Sequence, residues 1–323
     1  VITGELRPGV VDVHAHWLPA ALFGLPAGSP LGGLHDRDGE LYLGTLPLSI
    51  ATSAMSDEDA VLADMAASGV GVRALSAPPF AFPVDGPDPD YVRAYNEALA
   101  AFVARSAGAL VGLGLVSLHD ADVARAELTA LASVEGIAGV AIPPLLAGTS
   151  LDVGVLRGIV DTAAALGLSV LVHPMQLPRP EWGSHYLANL IGNPTETATA
   201  VAAATLGGVV EALPDLRICF VHGGGCAPAL VGRWGHGWRS RADVRAHSVK
   251  PPAETFTSLY FDTVTHDPDT LALLTTLASP DRVVCGSDYP FDMAEADPVG
   301  FAVSHGPDAA TLAANGRGFL GLS

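Results

Sequence analysis

Eight short runs rich in β-branched and other apolar residues, each followed by an alanine- and leucine-rich segment, constrain this chain more than any other feature. The runs are "VVDVHAH" (10–16), "VGVRALSA" (70–77), "LVGLGLVSL" (110–118), "IAGVAIP" (137–143), "LSVLVHP" (168–174), "LRICFVH" (216–222), "SLYFDTV" (258–264) and "RVVCGSDYP" (282–290). Runs of this length suit strands buried on both faces, and the segments between them carry helical spacing with helix start signals. In "SDEDAVLADMAA" acids follow Ser56, and "NPTETATAVAAATLGGVVEAL" places Pro194 and Glu196 near its start. Alternating strand and helix gives a parallel sheet, and eight such units in 323 residues predict a (β/α)8 TIM barrel. An open doubly wound sheet is the other arrangement that this alternation allows.

Two connections break the even spacing. About forty residues separate the first strand from its helix, an insertion over roughly 17–55 containing "LPAGSPLGGLHDRDGELYLG", whose turn formers predict a small hairpin. About twenty follow the fifth strand, "PMQLPRPEWGSHYLANLIGN". Both leave carboxyl ends of strands, where barrel enzymes build their sites. With no linker composition or charge block, the expected organisation is one domain over residues 1–323.

Four of the eleven histidines fall at or beside the carboxyl end of a predicted strand: His14 and His16 on the first, His173 on the fifth and His222 on the sixth; the eighth ends in Asp288. Residues two apart on a strand project the same way, so His14 and His16 would point together. A barrel brings these ends to one face, and three imidazoles with a carboxylate suit Zn²⁺ or a similar divalent ion. Such an ion lowers the pKa of a coordinated water toward neutrality. The competing reading is that each is a polar strand-end residue bonded to backbone; the coincidence of type, strand and end favours a site. Asp12 shares the face of the histidine pair but lies deeper, which predicts a supporting or packing role.

The net charge of −18 argues against nucleic acid and an anionic membrane surface as partners, but not against a small anionic substrate met by a metal or an arginine. No apolar run reaches the roughly 18 residues of a spanning helix. Three cysteines, Cys219, Cys226 and Cys285, cannot all pair, and the first residues show no basic, apolar leader, so the expected compartment is the cytoplasm.

The motifs "DVHAH" (12–16), "LVHP" (171–174), "GNPTET" (192–197), "FVHGGG" (220–225), "GR" (232–233) and "GSDYPF" (286–291) together resemble the amidohydrolase superfamily. Within it they are similar to the amidohydrolase-2 branch that contains aminocarboxymuconate semialdehyde decarboxylase. The resemblance implies His14, His16, His173 and Asp288 as ligands of one divalent metal, usually Zn²⁺ and in some members Mn²⁺. It makes His222 the catalytic acid/base that works with metal-bound water, and Asp288 its partner in proton handling. It also implies a homodimer in which Arg233 crosses the interface to bind substrate carboxylate. Binuclear members need a lysine at the end of the fourth strand, which here reads "VAIPPL"; the single lysine, Lys250, lies elsewhere, so a mononuclear site follows. A second substrate-binding arginine of the branch is replaced by Ser49, the nearest arginine being Arg37, which shifts the expectation from a dicarboxylate to a monocarboxylate or a ligand anchored differently.

The expected activity is non-oxidative decarboxylation of a small unsaturated or aromatic carboxylic acid. The alternatives are hydrolysis of an ester, lactone or amide on the same site, and a metal- or ligand-binding barrel without chemistry. In the long loop after the fifth strand, His185, near Tyr186 and Asn189, is a candidate substrate contact, as is His266 after the seventh. "HGGG" reads as a tight strand-to-helix turn rather than a phosphate cradle, because no lysine accompanies it.

Overall fold

The computed structural model describes residues 6–26, 28–29, 31–86, 88–177 and 179–322. The eight runs form strands β1 (Val10–His16), β5 (Val70–Ser76), β6 (Leu110–Gly114), β7 (Ile137–Ile142), β8 (Ser169–Val172), β9 (Ile218–Phe220), β10 (Tyr260–Asp262) and β11 (Val283–Val284). Between β1 and β5 lie β2 (Leu34–Arg37), β3 (Glu40–Leu43) and β4 (Leu46–Ala51). The eight strands pair in parallel in the order β1-β5-β6-β7-β8-β9-β10-β11. Closure comes from parallel bridges Asp12 to Cys285 and Ala15 to Tyr289, with Val13 N–H donating to Cys285 O at 2.9 Å and His16 N–H to Tyr289 O at 2.7 Å. That seam decides for the TIM barrel over the open sheet.

The later strands are shorter than their sequence runs. In "LRICFVH" and "RVVCGSDYP" the ladder stops before His222 and Asp288, which take left-handed φ values of 55° and 61°. A residue in that region cannot extend a strand, so the chain turns there and brings both side chains over the barrel mouth.

The insertion is a three-stranded antiparallel sheet, β2-β3-β4, rather than one hairpin. Asp38 and Gly39, at φ 56° and 88°, form the β2-β3 turn, as an Asp-Gly pair prefers. Leu34, Leu41 and Ile50 are buried and join the main core with Trp17, Leu18 and Met55. The third strand was hidden because only one of its residues, Ile50, is buried. Two helix expectations also shift. The helix expected from Ser56 starts at Glu58, capped by the Asp57 side chain, which accepts Ala60 N–H at 3.1 Å, and a short helix, Thr52–Ser56, precedes it. The segment expected as one helix after residue 192 divides at Gly207 and Gly208 into Asn193–Leu206 and Val209–Ala212. Among the described residues no helix is long and apolar enough to cross a membrane.

Candidate metal centre

Strand β1 is buried at every position, and its even residues Asp12, His14 and His16 form a column rising toward the barrel mouth. Asp12 ties three elements together. Its carboxylate accepts His14 N–H (3.1 Å), Ser287 N–H (3.1 Å), the Ser287 hydroxyl (2.6 Å) and Arg73 Nε–H (2.8 Å). Arg73, fully buried on β5, also reaches Asp64 at 2.7 Å and lies 4.5 Å over the Tyr289 ring. The supporting role expected of Asp12 is therefore physical: it fixes the loop that carries Asp288 against the strand that carries the histidine pair.

The three strand-end imidazoles are each pinned through Nδ1. His14 Nδ1–H donates to Asp262 Oδ2 at 2.6 Å, His16 Nδ1–H to Ala77 O at 3.3 Å, and His173 Nδ1–H to Pro174 O at 2.7 Å. A carbonyl oxygen only accepts, so these contacts put the hydrogen of His16 and His173 on Nδ1 and leave Nε2 with a lone pair. The three Nε2 atoms converge on Asp288 Oδ1, at 3.1 Å from His14, 3.1 Å from His16 and 3.7 Å from His173. His222 Nε2 meets the other oxygen, Oδ2, at 3.3 Å.

Asp262 is the site residue that the sequence reading missed. At the end of β10 it accepts His14 Nδ1–H, Gly223 N–H at 2.8 Å and Val264 N–H at 3.2 Å, so one carboxylate orients a histidine and holds the turn bearing His222. The available signal was an acid inside the apolar run "SLYFDTV". Carboxylates that fix a ligating histidine typically change metal affinity by about 10–100-fold. Asp262→Ala is expected to weaken divalent metal binding by about that factor, measured by competition with a chromogenic chelator.

The donor set fits a divalent cation. Ligand atoms of His14, His173, His222 and Asp288 lie within 4.8 Å of one another, a grouping that takes in His222 where the motif resemblance implies His16, whose Nε2 lies 3.1 Å from Asp288 Oδ1. His14 Nε2, His173 Nε2 and His222 Nδ1 are buried without a hydrogen-bond partner among the described residues, and such orphans are costly unless something binds them. Electrostatics agree. Burial alone would keep His14 neutral, but the Asp288 charge and the Asp262 hydrogen bond outweigh it and raise its pKa to about 10. Burial lowers His173 to about 3. Despite burial, the charge and hydrogen bonds of the surrounding histidines hold Asp288 well below the usual carboxylate range. The cage thus attracts one positive charge while presenting neutral nitrogen at His173.

The loop after His173 is clamped from the helix Asn193–Leu206. Glu196, 3% exposed, accepts Met175 N–H at 2.9 Å and Leu177 N–H at 2.6 Å, which gives the "NPTET" segment a structural purpose. Glu196→Ala would leave two backbone donors unpaired and is expected to destabilise the protein by about 1–3 kcal/mol, read from denaturant unfolding. The glycine turn after His222 behaves as the tight turn expected: Gly225 has φ 61°, and a Cβ there would lie 2.2 Å from Pro194 O. Cys226 stands at the N-terminal boundary of the helix Ala227–Ser240 and its side chain caps no backbone N–H there.

The family model described as Amidohydrolase matches residues 11–314. The chain belongs to the amidohydrolase family. It is 28% identical over 302 residues to the 2-amino-3-carboxymuconate-6-semialdehyde decarboxylase of Dictyostelium discoideum, covering 89% of this chain and 83% of that protein. Its fold is similar to that of 5-carboxyvanillate decarboxylase from Sphingomonas paucimobilis, with a TM-score of 0.78 at 20% identity, over 99% of this chain and all of that one (100%). It is also similar to the 5-carboxyvanillate decarboxylase of Novosphingobium aromaticivorans in complex with manganese and 4-hydroxy-3-methoxy-5-nitrobenzoic acid, with a TM-score of 0.77 at 17% identity, over 99% and 97% of the two chains. The branch suggested by the motifs is therefore the right one.

In this amidohydrolase the remaining candidates are spread more widely. Lys250 pairs with Glu254 at 3.1 Å, beside a cleft that Arg217 and Tyr260 also line at the start of strands, away from the metal cage. Arg37 lies over the Tyr42 ring at 5.4 Å, inside the insertion sheet. A cavity of about 240 Å³ opens beside His222 and Asp288, lined among others by Asn189, Asn193, Thr265 and His266. His185 and Arg233 are exposed and are not among its lining residues. Phe291 packs edge-on against His16 at 4.9 Å and Phe80 against Phe291 at 6.4 Å, an apolar wall on the other side of the cage.

Proposed function

We propose that this amidohydrolase is a metal-dependent, non-oxidative decarboxylase of a small unsaturated or aromatic carboxylic acid. In this reading His14, His16, His173 and Asp288 hold one divalent ion, which when bound supplies Lewis-acid neutralisation of negative charge on substrate oxygens. The convergence of three Nδ1-anchored imidazoles on Asp288 is the observation that carries it. The bond between the carboxylate carbon and its neighbour breaks, carbon dioxide leaves, and the electron pair stays on the neighbouring carbon until it takes up a proton. His222 and Asp288, in contact at 3.3 Å, are placed to hold and pass that proton. The three similar proteins named above are all decarboxylases, which favours this outcome over hydrolysis on the same residues.

Zinc is the proposed metal on the basis of the three-imidazole donor set, with manganese the competing ion, as bound by the Novosphingobium protein. We read the protein as one domain, and as a homodimer in which exposed Arg233, on the helix Ala227–Ser240, reaches the partner's substrate, with His185 in the loop after β8 as a further substrate contact. Three free cysteines support a reducing, cytoplasmic setting. The decisive test offers metal-analysed protein a panel of aromatic and unsaturated acids, esters and lactones, with chelated protein as control. Carbon dioxide release that disappears on chelation supports the proposal; acid release from esters without carbon dioxide moves the assignment to hydrolysis, and protein without stoichiometric metal refutes both.

A further inference from the structure

The cavity beside His222 contains no arginine or lysine among its lining residues, although a carboxylate substrate is proposed to occupy it. What it offers instead is a buried carboxamide. Asn193, at the start of its helix, is 7% exposed, and its Oδ1 has no hydrogen-bond partner among the described residues. Its backbone carbonyl is used, by the Thr197 hydroxyl at 3.0 Å, so the helix accounts for the main chain and not for the side chain. His222 Nδ1, on the same cavity, is likewise buried and unpartnered. An unpaired buried acceptor is unfavourable by about 1–3 kcal/mol, so a residue left in this state beside a substrate cavity is matched to a donor that arrives with the ligand.

We propose that Asn193 is a specificity-determining residue whose side-chain oxygen accepts a hydrogen bond from a hydroxyl or amino group of the substrate. The substrate class is then a single-ring or similarly small monocarboxylic acid that carries such a donor away from its reacting carboxylate. The volume of about 240 Å³ is below the usual range of about 300–1,000 Å³ for small-molecule sites, which limits the ligand to that size. A second carboxylate at this end would meet an acceptor with no cation from the lining to neutralise it. The inference rests on the decarboxylase reading for the carboxylate, but its test is a binding measurement that needs no turnover.

Metal-loaded protein is titrated calorimetrically with benzoate, 3- and 4-hydroxybenzoate, 3- and 4-aminobenzoate and isophthalate, for the unaltered chain and for Asn193→Leu and Asn193→Asp. At least one donor-bearing acid is expected to bind about tenfold or more tighter than benzoate, isophthalate no tighter than benzoate. Asn193→Leu is expected to remove that preference while benzoate affinity stays within about threefold, and Asn193→Asp, which keeps an acceptor in place, to retain it. An equal preference in the unaltered and Leu chains overturns the proposal, as does a uniform loss for all acids in Asn193→Leu with folding and metal content unchanged. If Asn193→Leu does not fold, the Asp variant decides alone, loss of the preference there counting against the role. Binding as expected, with no carbon dioxide release from any acid of the wider aromatic and unsaturated panel described above, would refute the decarboxylase reading and leave Asn193 assigned.

Discussion

Asp288→Ala is expected to abolish stoichiometric divalent metal binding and to lower kcat/KM by about a thousandfold or more, some 4 kcal/mol of transition-state stabilisation. The size of the effect follows from how many partners converge on this one carboxylate. Its Oδ1 lies within 3.1–3.7 Å of His14, His16 and His173 Nε2, and its Oδ2 within 3.3 Å of His222. Removing it takes away the only acid among those converging atoms and leaves imidazoles facing one another. Its negative charge is also among the causes that raise His14 against the effect of burial, so without it burial shifts His14 back toward the neutral form. The variant therefore loses attraction for both a proton and a metal ion. Metal analysis after dialysis, together with initial rates at saturating added metal, checks the result. Metal content and rates equal to those of the unaltered protein would remove Asp288 from the site.

Arg73→Met carries the largest expected effect on stability, about 3–5 kcal/mol, because it deletes one member of a fully buried ion pair. Arg73 and Asp12 are both 0% exposed, so the Asp12 charge would be left without its cation in a setting that cannot hydrate it. Arg73 also bridges to Asp64 and lies over Tyr289, the residue after Asp288, so the variant loses packing at the loop it supports. Thermal unfolding is expected to fall by roughly 5–10 °C, and metal affinity by about tenfold as the loop bearing Ser287 and Asp288 loosens. Adding Asp12→Asn to Arg73→Met should recover part of the loss, since the unpaired charge is gone. A double variant as unstable as the sum of the two singles would show that the pair is not coupled.

The barrel and the cluster of histidines and acid at its mouth were legible because both rest on short-range patterns. Strand runs announce themselves by continuous apolar stretches, and His14, His16, His173, His222 and Asp288 sit at their ends. Asp262 was not legible because nothing local distinguishes an acid that orients a histidine 248 residues away from one that caps a loop. The partner of Asp12 was hidden for the same reason: an arginine in the run "VGVRALSA" looks exposed until the barrel closes over it. The third strand of the insertion escaped because its alternation is broken by Pro47 and by Ser49, whose φ is 56°.

By itself the sequence determined the order of elements, the residue types at the strand ends and the family, since each depends on local periodicity or on short motifs. Only the tertiary structure decided which nitrogen each histidine turns inward, that the sheet closes, and that Asn193 is left, among the described residues, with an unanswered acceptor beside the cage. Those are properties of distance between segments far apart in the chain, and distance is set only when the barrel packs.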